Sequence, residues 1–211
     1  MIELENGGYV VRNYSTEDGL SSDFIYQVFI DSQNRTWFAT DGRGVSMLDH
    51  SGFHHFAKGL ESRVVYSFAE DVNNDIWITS QDNGVYYFDG EKFVVSDALR
   101  LRDNAIQALV ADGQGNVIAI HNYGIDVFDT NGKQMRYWGE ESGIRDKHPN
   151  LNAVAKDQYG QLYFGTSKGI VKFSLRNDRS VTKPLPAIEV VSIYGDPIDI
   201  SGAAQLNYNE N

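Results

Sequence analysis

Cysteine is absent from this chain of 211 residues. That removes disulfides, thiol catalysis and thiolate metal sites, but it leaves the compartment open, because cysteine-free chains occur on both sides of a bacterial membrane. Proline is scarce, with 4 copies, and Pro184, Pro186 and Pro197 lie close together near the C-terminus. No apolar run approaches the roughly 18 residues that a membrane-crossing helix requires. The opening MIELENGGYV also lacks the basic start and apolar core of a secretory signal. Direct membrane insertion is therefore not expected, and the chain is either cytosolic or a piece of a longer exported protein. Basic charge is short as well: 18 Lys and Arg against 29 Asp and Glu give a net charge of −11. A surface of that sign repels phosphate backbones and no basic run offsets it, so nucleic acid is excluded as an expected partner.

What the chain does have is glycine, at 20 copies, with aromatics at 12% and hydrophobic residues at 41%. That content supports a real core and rules out a disordered tail. Apolar runs are short, rich in β-branched and aromatic residues, and bounded by Gly, Asn and Asp, the composition of an all-β protein with many short strands.

The runs recur. Asp31 in DSQNRTWFAT, Asp71 in DVNNDIWITS, Asp112 in DGQGNVIAIH and Asp157 in DQYGQLYFGT follow one another after 40, 41 and 45 residues. Three residues after each Asp stands Asn34, Asn74, Gly115 or Gly160, the residue types that accept a left-handed backbone in a hairpin turn. Six after it stands a large apolar residue: Trp37, Trp77, Ile118 or Tyr163. Gly44, Gly84, Gly124 and Gly169 follow, each with Val or Ile next, and each opens a further strand.

Within the first unit FIYQVFID, RTWFAT, GVSMLD and GFHHFA read as four strands, and VVYSFAED, DIWITS, GVYYFD and EKFVVS repeat them. Four antiparallel strands in about 40–45 residues is the period of a β-propeller blade. The fold expected is all-β, a partial β-propeller of about four four-stranded antiparallel blades, with repeats near 24–60, 64–101, 105–140 and 151–180. The last blade lacks a convincing fourth strand. A lone outer strand at 7–14 either completes it or belongs to a preceding blade. The bulky residue six after each Asp is expected to wedge between neighbouring blades. An open set of blades exposes an unpaired face, which makes a homodimer a candidate assembly. After residue 180 the grammar stops: 181–211 reads as a linker and the start of another β unit, with AIEVVSIYG as a strand and GDPI as a tight turn.

The phrases YSTEDGLSSDFIYQVFIDSQNRTWFATDGRGVSMLD and GIRDKHPNLNAVAKDQYGQLYFGTSKGIVKF resemble the two-component regulator propeller repeats. The shared pattern is Gly-Leu-Ser, a short strand, Asp-x-x-Gly-x-hydrophobic-Trp, then a Gly before Val or Ile, spread over residues 15 to 180. The tail PAIEVVSIYGDPIDISGAAQLNYNEN resembles the start of the immunoglobulin-like Tyr-Tyr-Tyr domain that follows such propellers. Together they resemble the periplasmic sensor region of Bacteroidetes-type hybrid two-component histidine kinases. The resemblance implies a non-catalytic, periplasmic sensor segment of a membrane-anchored protein, an oligosaccharide ligand, and a signal relayed to a kinase carried elsewhere. The third copy departs from the pattern with Ile118, and the fourth with Tyr163. A protein–protein interaction propeller is the alternative, and a carbohydrate-active propeller enzyme the third.

In propellers, the loops joining second to third strands share one end with the loops joining blade to blade, and ligands bind there. The first set supplies the candidate ligand-binding residues Asp41, Arg43, Asp82, Asn83, His121, Tyr123 and Lys168; the second set includes Ser22, Asp23, Arg63, Asp103, Asn104, His148 and Asn150. These hydrogen-bonding and aromatic types suit sugars. No catalytic residue, cofactor or metal site is expected. DVNND alternates oxygen ligands like a calcium loop, but DSQNR, DGQGN and DQYGQ do not, so each Asp is assigned to holding turn amides. His54 and His55 are adjacent on one strand and point to opposite faces, which rules out a shared metal.

Overall fold

Short apolar runs joined by tight turns can pair only with their chain neighbours, and each repeat accordingly closes into one antiparallel meander. The computed structural model describes residues 2–5, 8–81, 84–96, 101–112, 114–129, 134–139, 148–173, 191–193 and 196–198. The first strand is β1 (Ile2–Glu5), paired with β2 (Gly8–Val11). The first blade is β3 (Ile25–Ile30), β4 (Thr36–Thr40), β5 (Val45–Asp49) and β6 (Gly52–Phe56), ordered as in the chain. The second is β7 (Val65–Glu70), β8 (Ile76–Ser80), β9 (Val85–Phe88) and β10 (Phe93–Val95). The third is β11 (Ile106–Ala111), β12 (Val117–His121), β13 (Gly124–Phe128) and β14 (Gln134–Trp138). The fourth has three strands, β15 (Pro149–Lys156), β16 (Leu162–Thr166) and β17 (Gly169–Phe173). The only helical turn among the described residues is the 3-10 turn Thr16–Asp18.

Two expectations need correction. The strand within 7–14 is not alone, because β2 forms a hairpin with β1 and is not hydrogen-bonded to the fourth blade. Near the C-terminus, β18 (Val191–Ile193) pairs with β19 (Asp196–Ile198), so Asp196, Pro197 and Ile198 are strand. Pro197 fits an edge strand of a two-stranded hairpin, where no ladder donor is needed from it. The chain divides into two compact units, Met1–Leu175 and Arg176–Asn211.

The repeat Asp residues do what the turn assignment requires, and more. Asp31 Oδ1 accepts the amides of Gln33 (3.0 Å) and Arg35 (2.8 Å). Asp71, Asp112 and Asp157 accept the equivalent pairs. The residue closing each turn is left-handed: Asn34 has φ 62°, Asn74 65°, Gly115 81° and Gly160 75°. The second carboxylate oxygen reaches into the blade. Asp31 Oδ2 accepts Trp37 Nε1–H at 2.7 Å, Asp71 Oδ2 accepts Trp77 Nε1–H at 3.0 Å, and Asp157 Oδ2 accepts the Tyr163 hydroxyl at 3.3 Å. In the third copy, where Ile118 has no polar atom, Asp112 Oδ2 accepts from Asn116 Nδ2 instead, at 2.7 Å. The Asp is thus the polar end of the wedge six residues later.

Wedges and partners form three clusters between successive blades. Trp37 is fully buried against Phe68, Ile76 and Ile78 of the second blade. Trp77 packs with Leu109, Val117 and Phe128 of the third, and Ile118 with Leu162 and Phe164 of the fourth. Alternation along β16 turns Tyr163 to the opposite face from Leu162 and Phe164, away from the third blade. At the other end Val28 and Ile30 are 56% and 62% exposed. The counterparts of Val28, three residues before the Asp, are Phe68, Leu109 and Val154, and all pack against the preceding blade.

Candidate functional site

Each inner strand carries an irregularity at one place. Register skips a residue between Ile25 and Gln27, between Val65 and Ser67, and between Ile106 and Ala108; in the fourth blade it slips between Pro149 and Val154. A bulge leaves its extra residue out of the ladder and re-aims the side chain. The residues so placed are Tyr26, Tyr66 and Gln107, and within the longer slip of the fourth blade Asn152; each stands five positions before its repeat Asp. Each inner strand also has an open edge, and two of the outward amides are satisfied from the preceding blade. Phe68 N–H donates to Gln27 Oε1 at 2.6 Å, and Leu109 N–H donates to Ser67 Oγ at 3.0 Å. The residue at this place in the third blade is Ala108, which has no acceptor to offer the fourth.

The re-aimed residues meet around the inner strands. The rings of Tyr26 and Tyr66 stand edge to face with centroids 4.9 Å apart. Asn152, at φ 54°, donates through Nδ2 to Tyr26 O (3.1 Å) and Tyr66 O (2.7 Å), tying the first, second and fourth blades together. Its Oδ1 is buried without a partner. Beside it opens a cleft of about 190 Å³ lined by Tyr66, Ser80, Gln81, Ala105, Ile106, Gln107 and Leu151.

The same end of the blades carries the loops singled out from sequence. Asp41 N–H donates to Phe24 O (3.1 Å), Gln81 N–H to Val64 O (2.9 Å), and Ser167 N–H to His148 O (3.1 Å). In the first, second and fourth blades the second-to-third-strand loop therefore lies against the segment that enters the blade. Asp41 and Arg43 on the first blade, Tyr123 on the third and Lys168 on the fourth are exposed, and none lines the cleft. Asp82 and Asn83 lie outside the described residues.

His121 stands elsewhere than a ligand contact would need it. It is fully buried, as is Asp126, whose Oδ2 lies 3.1 Å from its Nε2. Tyr123 N–H donates to His121 Nδ1 at 3.2 Å, so Nε2 carries the proton and donates to Asp126. Tyr137 stacks on the imidazole, with ring planes 10° apart, and Arg102 lies 4.3 Å from the Tyr137 ring centroid. His121 thus positions the loop that presents Tyr123.

His121 shares its place, nine residues after the repeat Asp, with Thr40, Ser80 and Thr166. Thr40 and Thr166 donate to the carbonyls of Gly44 (2.7 Å) and Gly169 (2.9 Å), closing their own loops. Ser80 Oγ is the exception: it is buried and has no partner. The two His on β6 turn apart, His54 towards Asp49 and Ser51, His55 towards Ser46. No group of three His, Cys, Asp or Glu side chains able to hold a metal occurs among the described residues. Sequence reasoning missed the bulge residues and Ser80, although their fixed distances before and after each Asp were available as a signal.

Comparison with known proteins agrees with this architecture. Residues 19–42 match the family model for the two component regulator propeller. A curated relative, histidine kinase P4 of Formosa agariphila, is 25% identical over 166 residues, 73% of this chain; the chain spans 12% of that kinase's length. Among solved structures, the extracellular domain of a hybrid two-component system of B. thetaiotaomicron superposes with a TM-score of 0.69 at 21% identity, covering 93% of this chain and 29% of that one. A second such domain gives 0.62 at 21% identity, covering 75% and 24%. Virginiamycin B lyase from Staphylococcus aureus gives 0.54 at 16%, covering 72% and 55%. One segment, residues 19–42, thus matches a two-component regulator propeller repeat, and at these identities the structural likeness is one of fold.

Proposed function

We propose that this chain is a non-catalytic segment of the extracytoplasmic, periplasmic sensor of a hybrid two-component histidine kinase, and that it binds an oligosaccharide fragment at the loop end of its blades. The signal passes to a kinase borne by the rest of the parent protein. The observation that carries the reading is the convergence, at one end, of the blade-entry segments, the second-to-third-strand loops and a cleft holding an unpartnered buried hydroxyl. A buried polar atom without a partner costs stability, and of the buried unpartnered hydroxyls among the described residues, those of Thr79, Ser80 and Tyr86, Ser80 is the one in a residue that lines the cleft, where a ligand can complete it. The solved structures named above, two of them extracellular domains of hybrid two-component systems, support the sensor reading over that of a propeller enzyme.

Calorimetric titration of the chain with a library of glycan fragments tests it. Saturable heat with the sugar recovered intact is the expected result; release of a modified sugar would replace the sensor with an enzyme. The same reading assigns the uncovered apolar face of Val28 and Ile30 to association with a second chain, because the positions equivalent to Val28 in the other blades pack against the preceding blade. Sedimentation of wild type against Val28→Glu is expected to show loss of a dimer.

A further inference from the structure

Three features outside the exposed loops invited a role. The buried His121–Asp126 pair is accounted for by positioning Tyr123. In the groove at the opposite end, by the turns holding Gln33, Arg35 and Asn74, the Arg35 guanidinium is already bound to Asp31 and the Asn74 side chain to Ser32. The cleft between the second and third blades is different, because its chemistry is incomplete.

We infer that this cleft is a subsite for one neutral, hydroxylated ring, such as the terminal unit of an uncharged saccharide, with the Ser80 hydroxyl completed by a ligand hydroxyl. The inference rests on the sensor reading and narrows its ligand class. Size comes first: about 190 Å³ is below the ~300–1,000 Å³ of pockets for drug-sized ligands, and suits one ring but not two. Charge comes second: every lining residue is uncharged, so nothing in the cleft offsets a carboxylate or sulfate, and the chain's net charge of −11 opposes one. Hydrogen bonding comes third: the side-chain amide of Gln81, and that of Gln107 beyond the one bond its Nε2 donates to Ala105 O, offer donors and acceptors in the cleft that Ser80 also lines. Apolar surface comes last: Ile106 and Leu151 provide the patch on which a sugar's C–H face can rest.

The repeat itself argues that Ser80 is not there for the loop. Thr40 and Thr166 at the same place close their loops through their hydroxyls, and His121 does so through its ring. Ser80 alone leaves its polar atom unused, within the copy whose neighbours form the cleft. A site built to bond a ligand hydroxyl also rejects analogues lacking it, since its buried polar group then stays unpaired.

The test is an amide-resolved NMR titration of the full chain with neutral methyl glycosides of hexoses and pentoses, and with the matching uronates, on wild type, Ser80→Ala and Gln107→Ala. Expected are saturable shifts at Ser80, Gln81 and Gln107 with at least one neutral glycoside. Uronates are expected to bind at least about tenfold more weakly, and either substitution to weaken binding by about three- to tenfold, the loss of one hydrogen bond. Without ligand, Ser80→Ala is expected to melt no lower than wild type, because it removes an unpaired polar atom from the interior. Shifts confined to the loops of Arg43, Tyr123 and Lys168, or affinity unchanged in both variants, would overturn the cleft and leave the sensor reading standing. No shift anywhere at that end with any glycoside would overturn both.

Discussion

Replacing Asp31 by Asn tests the logic of the repeat, because it changes one atom and leaves the shape alone. Asp31 has no exposed side-chain surface, and its two oxygens face only donors: the amides of Gln33 and Arg35 on one, the Trp37 indole and the Arg35 guanidinium on the other. Whichever way an Asn amide is turned, its NH2 group confronts donors. If it faces Trp37, the indole N–H is left without an acceptor in a fully buried position. An unsatisfied buried donor costs about 1–3 kcal/mol, and a hydrogen bond to a charged group is worth about 1.5–3 kcal/mol. We therefore expect Asp31→Asn to lose about 2–3 kcal/mol, allowing for overlap between those two effects. Asp112→Asn is the control. Its second oxygen meets only the Asn116 side-chain amide, which can rotate to present its oxygen, so the expected loss is below about 1 kcal/mol. Urea unfolding followed by circular dichroism measures both. Equal losses would refute the claim that the Asp serves the wedge as well as the turn.

Further expectations follow from neighbouring features. Gly115→Ala should be markedly worse than Gly42→Ala: both sit at positive φ, but a Cβ on Gly115 would fall within van der Waals distance of the Val72 backbone, whereas one on Gly42 meets nothing. Thermal melts should show the first losing several degrees more, and similar melts would contradict the blade-to-blade contact. Ser67→Ala should cost about 1–3 kcal/mol, because it strands the buried Leu109 amide, and should speed exchange of that amide. On acidification, burial pushes the Asp31 carboxyl up, but the bonds from Trp37 and Arg35 outweigh it and hold its pKa below the ordinary value. Asp157 is likewise lowered, with the amides of Gln161 and Tyr159 prevailing over burial. A lowered folded pKa gives stability that is present above the unfolded value and lost as pH falls through the folded one, so melting temperature should hold from pH 7 to 5 and decline below about 4. Asp75 runs the other way, raised by burial and by Asp71 nearby. Its charge is a liability at neutral pH, so Asp75→Asn should raise the melting temperature at pH 7, with the gain shrinking towards pH 4.

The strands and the blade succession were legible because they rest on local rules. A left-handed residue three after the Asp, and a bulky one six after it, specify a hairpin and a packed face wherever they occur. The indole bond to the Asp was not legible, since it depends on the twist that brings position six back over the turn. Tyr26, Tyr66, Gln107 and Asn152 escaped notice for a related reason. A bulge shows only as a register skip against the neighbouring strand, and alternation alone assigns such residues to a blade face. His121 reads as a loop residue until the pairing of β12 with β13 brings Asp126 to within 3.1 Å of its ring. Ser80 could have been singled out as the place where a loop-closing side chain varies, but its lack of a partner is a fact of packing.

Hydrogen–deuterium exchange on the full chain, with and without a binding glycan fragment, addresses the sensor assignment most directly. Protection is expected at 41–44, 63–66, 80–81, 104–107 and 150–152, the loop end and its cleft. Protection confined to the opposite turns at 32–35, 72–75, 114–116 and 158–161 would contradict the account.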